Sequence, residues 1–122
     1  MEIVSTITAI GDAALTPEDP LVILFGDDAT ESLRDVAVIQ HFQDESAQVQ
    51  LTLHADDQLQ IDDQTYQIAR VGVLANRNLQ TIGHVSLFFT PIPEQPLENA
   101  LYLTPTTKPN ISVGSKFTYR IN

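Results

Sequence analysis

Apolar and polar residues alternate along most of this chain, the spacing of strands that bury one face. Ile3, Thr6, Ile7 and Ile10 outline a loose opening strand that stops at Gly11. Leu21–Phe25 is a second, largely apolar strand between Pro20 and Gly26, and Val36–Phe42 is a third. Val49, Leu51 and Leu53 alternate with Gln50, Thr52 and His54, which predicts a cleaner half-buried strand. Leu59 and Ile61 precede Asp62-Asp63, while Tyr66, Ile68 and Val71 follow it, so Asp57–Gly72 reads as a β-hairpin. His84–Phe89, Ala100–Leu103 and Lys116–Ile121 complete the strands.

Two short stretches carry helical signals. Thr30–Arg34 follows acidic residues that suit a helix N-terminus, with Asp28 as a candidate cap. Asn76–Ile82 sets Leu79 and Ile82 on one helical face and ends at Gly83, a candidate C-cap. Prolines and glycines sit mostly between the strands, and no repeat or linker divides the chain. The expected fold is all-β: one compact domain over residues 1–122, barrel-like or a sandwich, with one or two short helices.

Composition narrows the function. Sixteen acidic residues against six basic ones give a net charge of −10, which excludes a nucleic-acid binder because phosphate contacts need clustered Lys and Arg. The same balance opposes adhesion to anionic lipid but can steer a basic protein partner. Cysteine is absent, removing disulfides, thiolate nucleophiles and thiolate zinc sites together. Glu2 stands where a secretory signal would be basic, and no long apolar run follows. A cytoplasmic protein without membrane insertion is the expectation.

The candidate chemistry rests on His41, His54 and His84. Their spacing suggests no metal site, and neither a phosphate-cradling glycine loop nor a dinucleotide fingerprint is present, so no cofactor is expected. A neutral imidazole can attack a phosphoryl group and hold it as a phosphoramidate. His84 has the most suitable setting: it follows Gly83 at the junction with the apolar strand Val85–Phe89. His41 lies beside Phe42, and His54 precedes Ala55-Asp56-Asp57. The doublets Asp56-Asp57 and Asp62-Asp63 read as a solvated loop and a hairpin turn.

Four segments in order, Ile7–Gly11, Val22–Ala29, Ile68–Gly72 and Asn78–Leu87, give the whole chain its resemblance to a known family. It resembles the glucitol/sorbitol-specific IIA component of the bacterial phosphoenolpyruvate-dependent sugar phosphotransferase system. The resemblance implies a phosphocarrier that accepts a phosphoryl group on histidine from the histidine-containing phosphocarrier protein. It would pass that group to the sorbitol-specific IIB component serving the IIB/IIC transporter. The family's active His is implied in the strand resembling Val36–Phe42, where the family's histidine positions fall on Gln40 and Phe42 and His41 lies between them. His84 matches the Gly-His motif without adjustment and is the first expected acceptor, with His41 second and His54 third. A noncatalytic IIA-like regulatory or interaction domain is the alternative.

Overall fold

Short alternating strands leave unpaired N–H and C=O groups along a sheet edge unless the sheet closes on itself. The computed structural model, which describes residues 1–122, shows that closure. Its strands are β1 (Glu2–Ile10), β2 (Leu21–Phe25), β3 (Val38–Phe42), β4 (Gln58–Ile61), β5 (Gln64–Val71), β6 (Val85–Phe88), β7 (Ala100–Thr104) and β8 (Lys116–Arg120). Three short helices intervene: α1 (Glu31–Arg34), α2 (Glu45–Gln48) and α3 (Ala75–Ile82). The barrel order is β1-β3-β2-β6-β7-β5-β4-β8, and β8 pairs back onto β1. The β2–β3 and β6–β7 pairs are parallel and the remainder antiparallel.

Period two now has a physical meaning. Val22, Leu24, Leu59, Ile61 and Leu87 belong to one buried core, while their strand neighbours face outward. In β3 the alternation places Gln40 and Phe42 inside and His41 outside. The hairpin forms as expected, with β4 and β5 joined at Asp62-Asp63 and Asp62 at φ 53°. The expected third strand begins two residues late, at Val38, and the strand expected from His84 begins at Val85.

The strand expected over Val49–Leu53 does not form. Leu51 and Leu53 are buried as the alternation implies, but side chains of α3 rather than a neighbouring strand satisfy the Leu53 backbone and the Leu51 carbonyl, while the Leu51 N–H donates to the Gln48 carbonyl. The Leu53 N–H donates to Asn76 Oδ1 at 2.8 Å, and Asn76 Nδ2 donates to the Leu53 carbonyl at 2.9 Å. Gln80 Nε2 donates to the Leu51 carbonyl at 2.6 Å. Just before this segment lies α2, which the sequence reading missed; Asp44 caps it by accepting from the Ser46 and Ala47 N–H groups. Thr30, not Asp28, caps α1. Asp57 also departs from expectation, being only 3% exposed. Its carboxylate accepts from the His54 and Asn122 N–H groups, so it is a structural acceptor and not part of a solvated loop.

Because buried peptide groups need partners, Asn76→Ala is expected to orphan both polar groups of Leu53 and destabilise the fold by about 2–3 kcal/mol. Urea denaturation monitored by circular dichroism measures the change, and a loss below about 0.5 kcal/mol would contradict this role for Asn76.

Candidate functional site

His84 is positioned by a helix end and a strand end together. The α3 helix stops at Gly83 in the left-handed conformation, φ 64° and ψ 24°, which glycine adopts without steric cost. The His84 N–H donates back to the Asn78 carbonyl at 3.2 Å, closing the helix before β6 begins. A Cβ at position 83 would lie 3.0 Å from the Gly26 Cα, so β2 and the α3–β6 corner meet backbone to backbone. The Gly26 N–H donates to the Ile82 carbonyl at 2.9 Å across the same contact.

This packing fixes the His84 ring. It stacks on Phe25 with centroids 4.0 Å apart and planes 18° from parallel. Its Nδ1 lies 3.0 Å from the Leu24 carbonyl oxygen. A carbonyl only accepts, so Nδ1 carries the hydrogen and the neutral ring keeps its lone pair on Nε2. The ring is half-buried, with one nitrogen tied and the other without a hydrogen bond.

Beneath this corner, inside the barrel, lies the side chain at position 40, marked in the sequence by the resemblance but without a role of its own. Gln40 is 1% exposed. Its Oε1 accepts from Ser5 Oγ and from the Tyr119 hydroxyl, each at 2.7 Å. Those two donors fix the amide orientation, and Nε2 donates to the Gly83 carbonyl at 2.9 Å. Burial holds the Tyr119 phenol far above its ordinary pKa, so it remains a donor. The available signal was parity: Gln40 stands between inward Val38 and Phe42 on an alternating strand, where a polar residue must find internal partners. Gln40 and Phe42 also line a cavity of about 240 Å³ whose rim includes Asp27, Asp28 and Glu45.

His41 occupies the opposite face of β3, with a side chain 52% exposed. Its Nδ1 lies 2.7 Å from Asp27 Oδ2, which assigns the hydrogen to Nδ1 and leaves Nε2 open. The hydrogen bond and charge of Asp27 raise the His41 pKa, with a smaller contribution from Glu45. His41 on β3 and His84 immediately before β6 therefore flank β2, whose Phe25 stacks on His84 and whose following loop supplies Asp27 to His41. His54 belongs to neither arrangement. It is 73% exposed, with Nδ1 3.8 Å from Asp57 Oδ2. The three histidines form no common metal-ligating cluster.

Fold and site together define a closed β-barrel domain that carries its imidazoles on the outer wall rather than in an enclosed cleft. Residues 2–118 match the family described as PTS system glucitol/sorbitol-specific IIA component, and the chain belongs to that family. It is similar to the solved PTS system IIA component from Enterococcus faecalis V583. The two are 39% identical over 99% of this chain and 100% of that one, with a TM-score of 0.90. A comparison with curated proteins finds no match.

Asp27 gives His41 a distinct pH response. Since the folded pKa is raised, stabilisation by the pair is fully present below the ordinary imidazole range and is lost as pH rises through the raised value. In a proton NMR titration, His41 is expected to titrate above its position in Asp27→Asn. Coincident midpoints in the two proteins would show that Asp27 does not hold the imidazolium.

Proposed function

We propose that this IIA component works in the cytoplasm, takes a phosphoryl group from the histidine-containing phosphocarrier protein onto His84, and delivers it to the sorbitol-specific IIB component that serves the IIC transporter. The observation supporting this site is the ring geometry of His84: Nδ1 tied to the Leu24 carbonyl, the ring face stacked on Phe25, and Nε2 open. The Nε2 lone pair attacks phosphorus in line, while the donor's N–P bond breaks and its electron pair returns to the donor imidazole. The product is a phosphorylated imidazolium whose remaining N–H donates to the Leu24 carbonyl oxygen, opposing the new positive charge. The ring is already oriented, which reduces the entropy lost at the transition state. His41 offers an open Nε2 too, but its raised pKa leaves less of the neutral nucleophile near pH 7.

One observation supports the noncatalytic reading. Position 40, where the resembling family carries a histidine, holds a carboxamide whose hydrogen bonds are internal. An amide there supplies no imidazole nucleophile.

Incubation with phosphoenolpyruvate, enzyme I and the histidine-containing phosphocarrier is expected to add one phosphoryl group, raising the intact mass by about 80 Da, with acid-labile and base-stable linkage. His84→Gln should abolish stable labelling, whereas His54→Gln retains it. Peptide mapping at neutral pH separates the sites. Label on His41 with none on His84 would relocate the acceptor, and an unlabelled protein beside a competent control acceptor would favour the interaction-domain reading.

A further inference from the structure

The largest cavity is separate from the histidine face just described and measures about 530 Å³, within the range of small-ligand sites. It lies against the end of β5 and the start of α3, where Leu53, Val71, Val73 and Ile92 supply apolar walls. Its polar lining is selective. Asn76 is committed at both ends of its amide to the Leu53 backbone. The polar side chains left are Arg70 and His54.

Arg70 is anomalous in so acidic a chain. Sixteen carboxylates are available, yet none pairs with it; the side-chain contacts between basic and acidic groups are His41–Asp27, His54–Asp57 and Arg120–Glu2. Its Nε is sealed from solvent and has no hydrogen-bond partner. A buried guanidinium donor without an acceptor carries a desolvation cost that an incoming anion can relieve. The guanidinium fork matches a planar carboxylate through two parallel N–H···O bonds, so a carboxylate that reaches Nε would satisfy the donor the fold leaves unpaired.

We propose that this cavity binds a small organic monocarboxylate, with its carboxylate on Arg70 and a compact apolar body against Val71, Val73 and Ile92. One fixed cation favours a single negative charge over a phosphate dianion, since Asp57 already lies 3.8 Å from the His54 ring nitrogen. The net charge of −10 opposes any anion from a distance, but salt screens that repulsion beyond about 8 Å. Contact with Arg70 decides binding. The site is independent of whether His84 carries phosphate.

Benzoate is the probe, titrated into the ¹⁵N-labelled full chain and followed by NMR, with benzyl alcohol and inorganic phosphate as comparisons. Saturable shifts are expected at the Arg70 Nε–H and at the Val71 and Val73 amides. Benzyl alcohol lacks the charge and phosphate lacks the apolar body, so each should bind at least about tenfold more weakly. Arg70→Met should weaken benzoate by a similar factor, and Arg70→Lys, which keeps the charge but loses the fork, should recover only part of the affinity. The proposal is overturned if benzoate gives no saturable shift, if its shifts centre on His84, or if benzyl alcohol or phosphate binds as tightly. Undiminished binding to Arg70→Met would overturn it equally. The Arg70 Nε–H signal of the unaltered protein decides the matter even where a variant fails to fold.

Discussion

The carboxamide of Gln40 is the tie on which the histidine-bearing end of the barrel depends. A buried amide must satisfy both its oxygen and its nitrogen, and each partner here comes from a different part of the chain. Ser5 belongs to β1, Tyr119 to β8, and Gly83 to the corner between α3 and β6. One side chain on β3 thereby connects the seam that closes the barrel to the residue immediately before His84. Both hydroxyl donors converge on Oε1, so the nitrogen end has only one direction in which to point. The outer surface inherits its order from this interior network.

Two imidazoles on neighbouring regions of that surface differ because their partners differ. A carbonyl oxygen holds the Nδ1 hydrogen of His84 and contributes a dipole. A carboxylate holds that of His41 and contributes a full charge, so protonation of the ring is favoured. The same nitrogen is tied in both cases, to a dipole in one and to a charge in the other. One fold thus presents two imidazoles with differently tied rings from adjoining walls.

Most strands were legible because alternation reports burial directly. Val22 and Leu24 on β2, or Leu59 and Ile61 on β4, could have little other role, and Gly83 marked the end of its helix. The Val49–Leu53 segment shows where that reading stops. Alternation revealed that Leu51 and Leu53 face the core, but not that Asn76 and Gln80 would replace a strand as partners of their backbone. Pairing order was likewise hidden, because the β2–β3 and β6–β7 neighbours run parallel and depend on contacts beyond any local pattern. In the site, His41 and His84 were visible as chemistry, whereas Gln40 was visible as a polar residue of inward parity at a position where the resembling family carries a histidine. Its importance comes from Ser5 and Tyr119, which stand far from it in the chain.

Closure by the last strand has a consequence for the order of events during synthesis. β1 needs β8 along one side, with Glu2 opposite Arg120 and Thr6 opposite Lys116. When the first strand leaves the ribosome, that partner has not yet been translated. β1 can dock on β3 early, but its other edge stays open until β8 has emerged. Completion of the barrel therefore waits for β8, and a chain that stalls before it presents the unpaired edges of β1 and β4 to its neighbours.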